Sequence, residues 1–452
     1  MRAPRVLFVT GFFPPYSPMG AVRAPMLAKF WAGLGYDLRV IAVENPAIKG
    51  MIDMPIPAEQ VTYAPFDPTG GRLVRTVNAV KRLIGTGGSA ATGSGGTGGG
   101  DSAAAYTGRR SFQSLRRLYQ HAVEFPDKHQ SWIKPAVAAG LQVAETWQPD
   151  LVYSSAPPHS GHIVAQRLAA ALNLPWIAEL RDPWATNMHD DVPPLVRPFR
   201  RRLAIATLRH ATACVTLSET LGKEVAGFTG RPTTVSYNGF GRDDFAGLDD
   251  TPAHDPDHLT LIHAGAIYAE RRDPSPLFQA LAALGGLKDK VRVIFYHDEH
   301  GWVLSKAHEF GVAGCVEMRA PVPRKEILRL ERAVDVLLMC RWDDPGGDGI
   351  IPGKLFEYVG ARRPVLSVGS CTGEAADILR SHEFGLVEND PARIADGLRH
   401  WLAEKTAHGG KTPDLPAEPT VGYLRETQFE KVDALIRQVV AGDRPAPALA
   451  AE

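Results

Sequence analysis

Short apolar runs of strand length alternate with helical stretches along this chain, twice over, and that alternation leaves few folds open. Strands are expected at 5–10, 38–43, 151–154, 176–180 and 213–217, with helices at about 21–34 and 161–172. A polar linker at 249–258, containing Thr-Pro-Ala-His-Asp-Pro-Asp, interrupts the series. It then restarts with strands at 259–263, 291–296, 334–339 and 365–368. Alternating strand and helix means a parallel sheet with helices on both faces, and a restart means two such domains. A chain of 452 residues, 44% of them hydrophobic, is long enough to fill two cores. The expected layout is a first domain over 1–248, a second over 258–418, a closing helix over 419–441 returning to the first, and a disordered tail over 442–452.

Composition excludes more than it selects. Fifty basic residues balance fifty acidic ones, so no global field favours a nucleic acid. Cys214, Cys315, Cys340 and Cys371 are scattered without metal-ligand spacing, as suits a reducing cytosol. The opening MRAPRVLFVTGFF is too short for a signal peptide, and no window approaches about 18 continuous apolar residues. These features lead us to expect a soluble, cytoplasmic protein. Residues 85–105, rich in Gly, Ser and Ala, cannot form a core and read as a disordered insert. Basic residues flank it: Arg72, Arg75, Lys81 and Arg82 before, Arg109, Arg110, Arg116 and Arg117 after. A third basic stretch holds Arg197, Arg200, Arg201, Arg202 and Arg209. Basic amphipathic helices lie on anionic membrane surfaces, or else are solvated faces over an apolar stripe; both readings stay open.

The segment GIIPGKLFEYVGARRPVLSVG, 349–369, carries the clearest chemistry. A Pro-Gly-Lys loop opens a short apolar helix, whose unpaired N–H groups and positive dipole end suit an anion such as a diphosphate. Lys354 adds a point charge, and Glu357 is an acceptor suited to sugar hydroxyls. An ordinary helix start with a surface acid has the same residues. A second glycine loop, 369–373, opens a helix at Glu374 and offers further backbone N–H groups.

In the first half, the loop FFPPYSPMGAVRAP follows strand one. Gly20 allows close backbone approach and Arg23 follows in the helix, but the loop lacks the G-x-G-x-x-G of a dinucleotide site. Ser154 to Gly161 repeats the strand-loop-helix geometry and contains His159, with His162 next to it. In PWIAELRDPW, Glu179, Arg181 and Asp182 stand where a parallel sheet presents ligands, outside its carboxyl edge. Arg181 paired to Asp182 or Glu179 as a structural ion pair explains the same residues.

The segment at 349–369 resembles the donor motif of retaining GT-B glycosyltransferases of the GT4-like branch, where a Glu precedes a second Glu by eight positions and Gly-x-Pro-Val follows. Pro352, Lys354, Phe356, Glu357 and Tyr358 match the P-x-K-x-F-E-Y version. Gly349 stands where the first Glu is expected. The 15–23 loop is similar to the family's P-x-x-G-x-x-R loop. Ser218 and Asn238-Gly239-Phe240 are similar to a later strand and an interdomain hinge turn. The resemblance departs at Arg181, where relatives carry His, and at Ala266, where they carry a diphosphate-binding Arg; Arg271 or Arg272 is the candidate replacement. Tyr423 and Arg425 begin a helix similar to the family's closing helix.

What this resemblance implies is a hexosyltransferase-type enzyme of α/β, GT-B fold, two doubly wound Rossmann-like domains facing a central cleft. It would move a sugar from a nucleoside diphosphate sugar to a saccharide or lipid-linked acceptor in bacterial polysaccharide or glycoconjugate synthesis, with retention and without cofactor or metal. The nucleotide sugar would be held by Gly20, Arg271, Arg272, Lys354, Glu357, Gly373 and Glu374. The acceptor, a saccharide or polyprenyl-linked saccharide, would meet Arg23, His159 and Arg181, and Asp182, Lys354 and Arg271 would carry the chemistry. No nucleic-acid partner is expected, and location on the inner face of the cytoplasmic membrane is an expectation of the basic helices. A nucleotide-sugar epimerase of the same fold and a non-catalytic sugar-nucleotide-binding protein are the alternatives.

Overall fold

The computed structural model describes residues 2–18, 21–48, 52–67, 124–184, 186, 192–248, 256–267, 272–298, 301–342 and 349–443. Gly20, Arg271, the glycine-rich insert with its two basic flanks, and most of the tail lie outside the described residues. Contacts divide the chain into two compact units, one comprising 1–216, 222–234 and 433–452, the other 217–221 and 235–432. The division at 234/235 falls ahead of the polar linker. Helix α12 (Arg425–Val440) is shared, its residues from Asp433 grouping with the first unit.

The first unit has seven strands in the order β3-β2-β1-β4-β5-β6-β7. These are β1 (Arg5–Thr10), β2 (Asp37–Glu44), β3 (Val61–Pro65), β4 (Leu151–Ala156), β5 (Trp176–Leu180), β6 (Ala213–Thr216) and β7 (Thr233–Val235). Around them lie α1 (Arg23–Gly33), α2 (Ile133–Thr146), α3 (Ser160–Leu172), α4 (Arg197–Leu208) and α5 (Glu219–Thr229). β4 and β5 are buried along their whole length, as strands covered on both faces must be. The strand order reverses between β1 and β4, which pair in parallel from Val6 with Leu151 to Thr10 with Ser155. Such a reversal opens a crevice at the carboxyl ends of the strands, where open α/β sheets bind ligands.

The second unit repeats this plan with six strands, β10-β9-β8-β11-β12-β13. They are β8 (Leu259–Ala264), β9 (Val291–Tyr296), β10 (Val316–Arg319), β11 (Val336–Cys340), β12 (Val365–Val368) and β13 (Gly385–Val387). Its helices are α6 (Ser275–Ala283), α7 (Gly301–Glu309), α8 (Arg324–Ala333), α9 (Gly353–Ala361), α10 (Glu374–Ser381) and α11 (Pro391–Ala407), followed by α12. The period of two along each strand builds two cores. Leu261, Val336, Leu338 and Cys340 pack in one, and Ile262, Ala264, Leu337 and Met339 in the other. The reversal here falls between β8 and β11, so the chain ends that follow them, Gly265 and Arg341, border the second crevice.

Candidate functional site

In the second unit the crevice between β8 and β11 collects the charged residues of three loops. β8 ends at Ala264 and the chain turns at Gly265 with φ +107°, a conformation that favours glycine. A Cβ at this position would stand 2.4 Å from Lys354 Nζ and 2.9 Å from its Cε. The missing side chain is therefore the space in which the lysine lies. Lys354 is the second residue of α9, and Pro352 ahead of it supplies the carbonyl that Leu355 N–H reaches. No hydrogen bond or ion pair among the described residues reaches the Lys354 ammonium. Burial and the neighbouring Arg272 lower its pKa to about 8, against the pull of Glu331, Cys340 and Glu357.

Arg272 donates to the Ala266 carbonyl at 2.6 Å and lies over the Trp342 ring, 5.6 Å from its centroid. Its field is felt at Lys354, so the two cations share one crevice. Beneath them, His263 is buried with Nδ1 against the Leu338 carbonyl at 2.9 Å. Burial, then the Lys354 charge, takes its pKa to about 3, leaving it neutral. Glu357, one turn after Lys354, accepts from Arg324 at 3.1 Å. Arg324 in turn grips both oxygens of Asp244, at 3.0 and 3.1 Å. Glu357 is thus half-buried and ion-paired at the flank of the crevice.

The loop after β12 is shaped from behind. Arg341, buried at the end of β11, donates to the carbonyls of Ser370 at 2.8 Å and Thr372 at 2.9 Å. Turning those carbonyls inward leaves Gly373, at φ +83°, as the cap of α10. Glu374, expected among the donor contacts, has its carboxylate occupied. It accepts from the backbone N–H groups of Glu219 at 2.8 Å and Thr220 at 3.1 Å, and from the Tyr237 hydroxyl at 2.8 Å. Any part it takes in holding a ligand would run through its own N–H or that of Gly373.

In the first unit, the ion pair is not the one anticipated for Arg181. Glu179, fully buried on β5, pairs with Arg23 at 2.9 Å and accepts from Tyr153 at 3.0 Å and Ser155 at 2.5 Å. Arg23, the first residue of α1, thus satisfies a buried carboxylate, which would be costly if left alone. Arg181 instead donates to the Pro157 carbonyl at 2.6 Å, and Asp182 is exposed. His159 is buried and stacks on Trp184 with ring centroids 5.1 Å apart. For His162, Nδ1 shares a hydrogen bond with Ser154 Oγ, which also accepts from Trp176 Nε1–H, both at 2.8 Å. Burial and Arg181 lower its pKa to about 3. Both histidines are neutral, His159 for the same reason, with His162 adding to the effect of burial.

Sequence reasoning missed Arg341, Arg324, Glu331 and the Arg23–Glu179 pair. The only signal for Arg341 was its place immediately after a buried strand; the others depend on contacts between distant segments. Among the described residues no group of His, Cys, Asp and Glu could hold a metal ion, and no helix is long and apolar enough to cross a membrane.

Two doubly wound parallel-sheet units are the layout of the GT-B fold, and comparison with known proteins agrees. Residues 20–241 match the model of the glycosyl transferase 4-like domain family. That match covers just under half of the chain, and the chain is a glycosyltransferase. Among solved structures, HepE of Anabaena in complex with UDP-glucose aligns at 14% identity and TM-score 0.57, covering 96% of this chain and 100% of that one. The sucrose-phosphate synthase of Thermosynechococcus elongatus aligns at 13% identity and TM-score 0.57, covering 98% and 100%. The lipopolysaccharide outer core galactosyltransferase WaaB aligns at 13% identity and TM-score 0.54, covering 96% and 99%. At these identities the likeness is one of fold. No curated protein matches the chain by sequence.

Proposed function

We propose that the chain moves a sugar from a nucleoside diphosphate sugar to a saccharide or polyprenyl-linked acceptor, with retention of configuration and without a divalent metal, in polysaccharide or glycoconjugate synthesis. The observation that carries the donor assignment is Lys354. Its ammonium lies in the crevice over Gly265, beside Arg272 and with no anion paired to it among the described residues. A buried ammonium beside a second cation favours a multiply charged anion, and a diphosphate is such an anion. As the anomeric carbon–oxygen bond breaks, its electron pair leaves with the diphosphate. Lys354, Arg272 and the N–H groups at Gly373 would stabilise that charge, and the acceptor hydroxyl oxygen would form the new bond. Arg271, outside the described residues, remains part of the proposal on sequence grounds.

On the acceptor side we assign His159, Arg181 and Asp182 at the carboxyl edge of the first sheet. Arg23 acts through Glu179, by holding the end of β5. A lipid-linked acceptor and work at the inner face of the cytoplasmic membrane are favoured by α4 and the turn before it, where Phe199 and Leu195 are 61% and 71% exposed among exposed arginines.

Transfer assays with UDP-, GDP- and dTDP-sugars against a panel of saccharide and polyprenyl-linked acceptors test the reading. Lys354→Ala should lose at least about 100-fold in transfer, the scale of a lost charge-stabilising donor, and Glu357→Ala, which removes an acceptor for the sugar hydroxyls, should also abolish most transfer. Wild-type rates in both would refute the donor assignment. An epimerised sugar from donor alone would replace transfer by epimerisation, and binding without turnover across the panel would leave a binding protein.

A further inference from the structure

Four successive carbonyls in the loop between β12 and α10 are gripped by side chains. The Gly369 carbonyl accepts from the Asn389 amide at 2.5 Å, and Asn389 Oδ1 accepts from the Gly369 N–H at 2.8 Å. The Cys371 carbonyl accepts from Arg380 at 2.8 Å. Those of Ser370 and Thr372 both accept from Arg341, at 2.8 and 2.9 Å. Water can serve the carbonyls of a connecting loop equally well, so this one is fixed more firmly than the connection requires. Arg341 is central to it. A guanidinium is a rigid planar fork, and both of its prongs here hold carbonyls two residues apart, which therefore converge on one side of the loop. In a trans peptide the next N–H points opposite to the carbonyl, so the N–H groups of Cys371 and Gly373 turn away from Arg341.

The loop also starts in contact with the residue that shapes it. A Cβ on Gly369 would stand 2.1 Å from the Arg341 carbonyl oxygen, so only glycine lets the two backbones lie this close. β11 runs between β8 and β12, and its last residue, Cys340, is level with Val368. Gly265, with Lys354 over it, thus borders Arg341 on one side and Gly369 borders it on the other, about 10 Å apart across two strand spacings. We infer that Arg341 is the positioning residue of the donor loop: its fork sets the 370–371 and 372–373 peptide planes so that the N–H groups of Cys371 and Gly373 meet the phosphates of the donor. This rests on the donor reading above. The device is geometric. The guanidinium is buried behind the loop and taken up by carbonyls, so it acts through the peptides it orients. Lysine would keep the charge but has no fork with which to hold two carbonyls.

The test compares ligands that differ only in their phosphates. Calorimetry with UDP, GDP, ADP and dTDP finds the base that binds, and the matching diphosphate and phosphate-free nucleoside are then titrated into Arg341→Lys. The diphosphate should bind about tenfold more weakly than to wild type, the scale of hydrogen bonds lost to a charged group, and the nucleoside within about twofold of wild type. Arg341→Met carries no buried charge and should give the same pattern, should the lysine variant fold poorly. A merely structural role would weaken both ligands alike. That result, or wild-type diphosphate affinity in Arg341→Lys, overturns the inference and leaves the donor site standing. Lys354→Ala separates the two: if it binds nucleoside diphosphate like wild type, or if none of the four diphosphates binds the wild type, the donor reading itself fails and the inference with it.

Discussion

Gly265 shows how much of this site hangs on a single absent carbon. Its φ of +107° is disfavoured for any residue with a Cβ, and that Cβ would stand 2.4 Å from the Lys354 ammonium. Lys354 is flexible at its far end, so it can retreat, but only out of the position proposed for the diphosphate. Gly265→Ala should therefore cost about 1–2 kcal/mol of stability through the backbone and about tenfold in nucleoside diphosphate affinity through the displaced lysine. Urea unfolding and calorimetry read the two effects separately; wild-type affinity in a destabilised variant would detach Gly265 from the site. The motif residues Lys354 and Glu357 were legible because they sit within one short, strongly patterned segment. Arg324 and Arg341 were not, because what makes each matter is a partner 29 to 80 positions away, brought near by sheet order. Glu374 was legible as an acid at a helix start, but its carboxylate is taken up by the amides of Glu219 and Thr220.

Among the elements, the central strands were readable to within two or three residues. β1, β5, β9 and β12 coincide with the apolar runs that announced them, because strands covered on both faces need continuous apolar sequence. The outer strands β3, β7, β10 and β13 escaped notice. They are short, three to five residues, and half-buried residues break their pattern, as in Val316-Glu317-Met318-Arg319. α4 was foreseen as a basic helix, and its faces divide as amphipathicity requires. Ala204, Thr207 and Leu208 are buried, while Arg197, Phe199, Arg201 and Arg202 point outward. Each arginine near an anionic bilayer contributes about 1 kcal/mol, so three exposed ones and two bulky apolar anchors suffice for measurable binding at low salt. The protein should co-sediment with vesicles of mixed phosphatidylglycerol and phosphatidylcholine, and not with phosphatidylcholine alone. Arg201→Glu with Arg202→Glu should reduce binding at least about tenfold, and Leu195→Ser with Phe199→Ser should weaken it at all salt concentrations. If the wild type stays in solution with anionic vesicles at low salt, α4 is a solvated face and the lipid-linked reading loses its support.

At the scale of the whole molecule, the chain uses one plan twice and loads the two copies differently. The first sheet's crevice is lined by neutral histidines and by Arg181 and Asp182, after Arg23 and Glu179 have cancelled each other. The second holds Lys354, whose ammonium no anion among the described residues pairs, beside Arg272. A multiply charged ligand should therefore choose the second unit. A ligand that binds only the native state stabilises it by RT ln(1 + [L]/Kd), about 2.7 kcal/mol at a hundredfold excess over Kd. That stabilisation is felt most by the segments that must open to release the ligand. With saturating UDP, or whichever of UDP, GDP, ADP and dTDP binds, amide hydrogen exchange should slow at 263–267, 353–357 and 369–376. The backbone of β4 and β5 should exchange as in the free protein. Because both sheets have the same topology, fold alone does not dictate this asymmetry; the charges do. Protection centred on 154–162 and 179–184 instead would mean that the nucleotide sits in the first unit and that the two crevices have been assigned the wrong way round.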